Sequence, residues 1–384
     1  MSDSCHSRHF SWLMKSCFPN PQHHHPQPLH RSISHHHHHH TTISSLPDDL
    51  LLECLSRVSS SSLPSVSLVC RRWSRLLSSS ALYDLRRRNA SIYHTVFVFS
   101  VTDSGLFAAT LRFGDAYSWR TSFIPAGDGG EGFRVPLSHS RISAIGRGFT
   151  LSEGEMVRYD AWTGALTAKA GMVFPRKKFA AAMVAGRIYV AGGAARTSAL
   201  EEYDPVSDKW SVVAEAPRRR YGCIGAAVDG VVYVIGGLKI GASESEVVPL
   251  AAGAEAHVYA SSMDLYDVEA RGWLRSRAVP SGGCVVAACA AAGFVYVLTS
   301  HAVELSFWRF DARRKATSGS GGGGFGEWCR VKSPPLPAQV RLDSSVRFSC
   351  VGVETRSTRG LREGLVLIYD AAAGEWSRGR ICRR

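Results

Sequence analysis

Hydrophobic and polar positions change their period along the chain, and the change divides it. Over residues 44–90 the spacing is helical. Leu51, Cys54, Leu55 and Val58 fall at 0, 3, 4 and 7, one face of an α-helix. Ser44 and Ser45 precede them as cap candidates, Pro47 stands in the first turn, and Asp48 and Asp49 lie at the positive end of the helix dipole. Val66, Val69, Cys70, Trp73 and Leu77 follow at 0, 3, 4, 7 and 11, with Arg71, Arg72 and Arg75 opposite. A third short helix is predicted over ALYDLRRR. Three short amphipathic helices make a very small core, and such a unit calls for a partner surface.

From residue 92 to 384 the runs shorten and become β-branched or aromatic: VFVFSV, RIYVAGG, VVYVIGG, FVYVLTS, LVLIYD. Gly, Asp and Pro bound them, which predicts strands. They also repeat. Tyr203-Asp204, Tyr266-Asp267 and Tyr369-Asp370 each lie 7 residues before a tryptophan: Trp210, Trp273 and Trp376. Tyr159-Asp160 has Leu166 in that place, and Phe310-Asp311 reaches Trp328 only after an insertion with a glycine loop. The steps between these frames are 44, 63, 44 and 59 residues, and Gly192-Gly193 and Gly236-Gly237 are also 44 apart. A period near 44 with several strands per unit predicts a mainly β chain: a β-propeller of about six blades. In each unit the glycine pair ends the second strand, Tyr-Asp closes the third, and Trp opens the fourth. These residues read as structural, the aromatics packing between blades.

Residues 1–43 are rich in Ser, His and Pro, with histidine runs at 23–25 and 35–40. They cannot bury enough apolar surface to order themselves and read as a disordered tail. Phe10, Trp12, Leu13 and Met14 are its one cluster suited to docking. No secretory signal opens the chain, and the longest apolar stretch, at 284–294, is too short for a membrane helix. The ten cysteines hold no CxxC pair, so reduced thiols packed as small apolar residues are expected, in cytoplasm or nucleus.

Lys+Arg 45 against Asp+Glu 32 gives a net charge of +13, which suits an acidic partner without naming one. Two basic loops precede inner-strand candidates: Arg176, Lys177 and Lys178, then Arg218, Arg219, Arg220 and Tyr221. A ring of such loops would make a positive funnel for a protein target, while solvated surface charge is the plainer alternative. No groove-reading helix points to nucleic acid. HExxH, GxSxG and Walker motifs do not occur, and His94, His139, His257 and His301 are too dispersed for a Tyr/His metal centre. No catalytic residue, metal or cofactor is assigned.

Two families then meet in one chain. LPDDLLLECLSRV, LPSVSLVCRRWSRLLSS and LYDLRRR closely resemble the F-box. The GG, YD and W repeats, with PR at the unit starts, resemble kelch repeats. The order looks like that of plant F-box/kelch-repeat proteins: a tail over 1–43, an F-box over 44–90 and a propeller over 92–384. The resemblance implies a substrate-recognition subunit of a Skp–cullin–F-box ubiquitin ligase, itself not an enzyme. The F-box would dock a Skp-type adaptor, and through it cullin and RING subunits. The propeller would hold a protein target. By resemblance the adaptor contacts fall on Leu46, Pro47, Leu50, Leu55, Leu68, Val69, Cys70 and Trp73, some of which must form the small core instead. A binding scaffold without ubiquitination stays open as the alternative.

Overall fold

The computed structural model describes residues 43–93, 95–102, 105–112, 119–125, 141–145, 148–152, 156–239, 259–301, 304–314, 326–337, 348–353, 356–361 and 366–379. The histidine-rich tail, residues 240–258, the glycine loop and the last five residues lie outside them. The chain divides into two units, Met1–Ile92 and Tyr93–Arg384.

The first unit folds as four α-helices among the described residues, where three were expected: α1 (Asp48–Ser56), α2 (Leu63–Ser67), α3 (Arg71–Leu77) and α4 (Ser80–Arg88). The helical face expected across 66–77 is broken. Helix α2 stops at Ser67, and Cys70 is extended at φ −161°, ψ 164°. Its Sγ accepts a hydrogen bond from the Trp73 backbone N–H at 3.5 Å, so Cys70 caps a new helix. Entry to α1 also differs. Pro47 is itself the N-cap, and Ser44 and Ser45 belong to a preceding 3₁₀ turn. Leu51, Leu55, Leu63, Leu76, Leu77 and Leu82 form the core. Buried Arg86 ties the ends together, donating to the Ser56 carbonyl at 3.1 Å, the Val58 carbonyl at 2.6 Å and Ser60 Oγ at 2.9 Å.

The second unit is built of antiparallel sheets in chain order. Sheet 1 has three strands, β1 (Thr95–Thr102), β2 (Gly105–Arg112) and β3 (Trp119–Pro125). Sheet 2 holds β4 (Arg141–Ile145), β5 (Gly148–Ser152), β6 (Met156–Asp160) and β7 (Leu166–Lys169). Sheet 3 holds β8 (Ala180–Val184), β9 (Arg187–Ala191), β10 (Ala199–Asp204) and β11 (Lys209–Glu215). A short ladder of β12 (Arg220–Tyr221) and β15 (Leu238–Lys239) flanks sheet 4, which comprises β13 (Ile224–Val228), β14 (Val231–Ile235), β16 (Ser262–Asp267) and β17 (Gly272–Ala278). Sheet 5 runs through β18 (Cys284–Ala291), β19 (Phe294–His301), β20 (Glu304–Asp311) and β21 (Trp328–Val331). Sheet 6 closes the series with β22 (Phe348–Val353), β23 (Arg356–Leu361), β24 (Val366–Asp370) and β25 (Glu375–Arg378). The first strands β4, β8, β13, β18 and β22 lie side by side in that order. This is a β-propeller arrangement.

The repeated residues explain it. Tyr203 pairs directly with Trp210, Tyr266 with Trp273, Phe310 with Trp328 and Tyr369 with Trp376. The ring centroids are 5.1, 5.2, 5.0 and 5.0 Å apart. Each pair packs against the preceding sheet: Tyr203 beside Met156 of β6, Tyr266 beside Tyr189 of β9, Tyr369 beside Tyr296 of β19. Between β10 and β11 or their counterparts the chain must turn back, and the Asp of each Tyr-Asp holds that turn. Asp267 Oδ1 accepts from the Glu269 and Ala270 backbone N–H groups, and Asp370 Oδ1 from those of Ala372 and Ala373.

The glycine pairs sit just past β9 and β14. Gly192 has φ +75°, and a Cβ there would lie 2.7 Å from the Arg220 carbonyl oxygen. In sheet 5 Thr299 and Ser300 replace the pair. There the strand runs on: β19 stays paired with β20 from Phe294↔Asp311 to His301↔Glu304.

Two stability predictions follow from this geometry. Gly192→Ala should cost more than about 2 kcal/mol, because left-handed strain and a backbone clash combine. Gly164→Ala, also at positive φ but with open space around it, should cost only about 1–2 kcal/mol. Denaturant unfolding of the full chain measures both, and equal costs would refute the clash. The second concerns pH. The Tyr203 hydroxyl donates to Asp208 Oδ1 at 2.7 Å, and that bond, with the Ala170 N–H, holds the Asp208 carboxyl below its ordinary range. A carboxyl lowered on folding stabilises above about pH 4, and the effect is lost as pH falls through its folded value. Asp208→Asn should therefore flatten the acid limb of the stability–pH curve and leave its slope at neutral pH unchanged.

Candidate functional site

The basic loops lead to a cleft, but not to the positive funnel expected of them. Arg176 is 1% exposed and Arg220 is 0% exposed. Arg176 donates to Glu201 Oε1 through Nε at 2.9 Å and Nη2 at 2.7 Å, to the Gly192 carbonyl at 2.7 Å and to the Ala199 carbonyl at 2.6 Å. Arg220, 44 residues on, repeats the pattern. It donates to Asp264 Oδ2 at 2.8 Å, to the Gly236 carbonyl at 2.8 Å and to the Tyr259 carbonyl at 2.7 Å. A guanidinium offers five donors in a fixed fork, which suits it to hold a carboxylate and carbonyls at once. Both arginines are therefore internal braces and cannot present charge to a target.

The carboxylate partners were not singled out from sequence, although a signal exists. Glu201 and Asp264 each stand two residues before the Tyr of a Tyr-Asp. The other repeats have Val157, Trp308 and Leu367 there, so among the described residues sheets 3 and 4 carry the brace. Glu201 also accepts from the Val173 N–H at 2.7 Å. Asp264 accepts from Arg218 at 3.0 Å and from the Ser276 hydroxyl at 2.6 Å. Arg218 is thus drawn to the same carboxylate, and Arg219 donates to the Ala195 carbonyl at 3.3 Å.

Above these braces lies an open cleft of about 620 Å³, lined by Pro175, Arg176, Lys177, Tyr221, Leu238 and Lys239 with Gly193, Ala194 and Ala195. Lys177, Leu238 and Lys239 are exposed. Lys178 lies 5.5 Å over the Tyr221 ring. The structure thus gathers Arg176, Lys177, Lys178 and Tyr221 of the expected set and adds Leu238 and Lys239. The wall is apolar with cationic side chains at its edge, a surface suited to a segment carrying an apolar residue beside an acidic one.

The helical unit presents a second surface. Leu50 is 50% exposed, Leu68 85% and Val69 60%. Pro47 and Cys70 are also exposed, and Leu46 and Trp73 are half-buried. Leu55 is 3% exposed, so it belongs to the core and is unavailable for docking. Arg72 fixes the exposed edge by donating to Asp48 Oδ1 at 2.8 Å. Among the described residues no group of three or more His, Cys, Asp or Glu is arranged to hold a metal, and no helix is long and apolar enough to cross a membrane.

Both units of the chain are similar to known families. The F-box domain model matches residues 43–85, and the Kelch motif model matches residues 175–217, the stretch that carries the Arg176 brace and the first tyrosine–tryptophan pair. An F-box/kelch-repeat protein of Arabidopsis thaliana is 56% identical over 405 residues, covering 98% of this chain and 96% of its own length. The chain belongs to the F-box/kelch-repeat proteins. Two further F-box/kelch-repeat proteins of the same plant are each 27% identical, covering 51% and 50% of this chain and 54% and 55% of their own lengths. F-box/kelch-repeat proteins are in general non-catalytic substrate adaptors of Skp–cullin–F-box ubiquitin ligases. Their F-box binds a Skp-type adaptor and their propeller binds protein targets.

The Arg176 brace is open to direct test. Arg176→Met leaves Glu201 buried without its cation and should cost about 3–5 kcal/mol. Lys177→Met, one residue on but exposed, should change stability by less than about 0.5 kcal/mol. Thermal and denaturant unfolding of both variants compare them.

Proposed function

We propose that this chain is the target-binding subunit of a Skp–cullin–F-box ubiquitin ligase, acting in cytoplasm or nucleus. The observation that carries this reading is the exposed apolar edge of the helical unit. A fold of this size cannot afford to leave Leu50, Leu68 and Val69 in water unless a partner covers them. Leu46, Pro47 and Cys70 border the same edge in sequence, so the adaptor contact comprises Leu46, Pro47, Leu50, Leu68, Val69 and Cys70. Trp73 joins it through its exposed half. The adaptor brings cullin and RING subunits and, with them, a ubiquitin-charged enzyme.

The propeller supplies no proton chemistry in this scheme. It raises the effective concentration of a target lysine near the conjugating enzyme, a contribution of proximity alone. The cleft of Lys177, Tyr221, Leu238 and Lys239 receives the target, and its two lysines favour an acidic segment.

Two variants of the full-length chain separate the surfaces. Leu68→Glu combined with Val69→Glu should reduce adaptor capture at least about tenfold, the effect of charges placed in an apolar interface, while circular dichroism stays unchanged. Adaptor binding at the wild-type level would refute the docking edge. Lys177→Glu combined with Lys239→Glu should keep the adaptor and lose the proteins that co-purify under proteasome inhibition. An unchanged set of co-purifying proteins would remove the cleft from the scheme.

A further inference from the structure

Cys289 and Cys350 are 61 residues apart and belong to different sheets, yet their Sγ atoms lie 2.7 Å from each other. The backbone accounts for the meeting. Strands β18 and β22 are neighbouring first strands of sheets 5 and 6, and a Cβ at Gly352 would collide with the Ala290 carbonyl oxygen and the Ala291 side chain. Only glycine allows so close a run. Cys289 directly precedes Ala290, and Cys350 stands two residues before Gly352, so the approach brings the two sulfurs together. Around them are Tyr296, Phe307 and Tyr369. Cys289 is buried and Cys350 half-buried, so a solvent-borne reagent reaches Cys350 first.

We propose that Cys289 and Cys350 form a covalent modification site, an oxidisable dithiol that closes to a disulfide across the seam between sheets 5 and 6. A peroxide is the oxidant. The Cys350 thiolate attacks one peroxide oxygen, the O–O bond breaks, and water leaves behind a sulfenic acid. The Cys289 sulfur then attacks the Cys350 sulfur, the S–S bond forms, and the hydroxyl departs as a second water with the Cys289 proton. Two thiols lose two electrons and two protons, and one peroxide becomes two waters. A cytosolic thiol reverses the step by disulfide exchange. Closure ties the last sheet covalently to the one before it, where the reduced protein relies on noncovalent contacts.

The test uses the full-length chain. Reduced protein is treated with hydrogen peroxide, remaining thiols are alkylated, and the digest is mapped without reductant. The expected result is a linked peptide pair joining Cys289 to Cys350 that dithiothreitol separates. The thermal midpoint of the oxidised protein should rise above that of the reduced protein, and Cys350→Ser should abolish the rise. Recovery of Cys289 as the alkylated thiol with Cys350 over-oxidised or alkylated would overturn the proposal. Because the mapping needs only the natural chain, it decides the question even where the variant fails to fold.

Discussion

Consecutive sheets of this propeller are held at their spacing by one recurring contact. A tyrosine or phenylalanine near the end of the third strand lies against a tryptophan opposite it on the fourth, and the pair is pressed onto the sheet before. Rings of this size bury large areas, and their tilted contacts add about 0.5–1.5 kcal/mol per pair beyond burial. Trp210 Nε1 also donates to the Ala170 carbonyl at 2.8 Å, and Trp376 Nε1 to the Lys332 carbonyl at 2.7 Å. These two tryptophans therefore tie an outer strand to the segment leading out of the previous sheet. Where Leu166 stands in place of the tryptophan, Phe99 meets Tyr159 edge-on at 5.7 Å, so an aromatic contact still joins sheets 1 and 2.

That contact is also why so much of the propeller was legible. A spacing of 7 between tyrosine and tryptophan is the length of a tight turn plus two facing positions, so the interval in sequence encodes a cross-strand pair. The glycine pairs were legible for the same reason: a residue type that tolerates positive φ marks a place where the chain turns beside a neighbour. The helical unit was less so. Val66 to Leu77 keeps helical spacing across a break, because periodicity reports which side chains are apolar and says nothing about a thiol that caps a new helix after the first has stopped. Burial of charge was not legible either. Arg176 and Lys177 look alike on a charge map, and only the carboxylates of Glu201 and Asp264, distant in sequence, decide which cations go inside.

The charge balance changes meaning accordingly. Arg86, Arg176 and Arg220 count among the 45 cations, yet each is held by internal carbonyls, and Arg176 and Arg220 by a carboxylate as well. Glu201 and Asp264 cancel two of these cations, so the surplus a partner meets comes from exposed side chains, Lys177, Lys178 and Lys239 at the cleft edge and Arg71, Arg87 and Arg88 on the helical unit among them. The same holds for the apolar count. Six leucines fill the helical core, while Leu50, Leu68 and Val69 stay outside, so composition alone does not separate a core from a docking edge.

The fixed arginines under the cleft have a consequence for how a target would be held. A side chain locked by several hydrogen bonds has already lost its rotamer freedom in the unbound protein, so binding above it carries no ordering cost there. The lysines at the edge are exposed, and a lysine side chain gives up as much as about 2 kcal/mol of entropy when it is immobilised. Affinity above such a floor is therefore set at the edge. On the proposed reading of the cleft, substitutions among Lys177, Lys178 and Lys239 would retune which segment is retained, without touching the braces that keep sheets 3 and 4 in place.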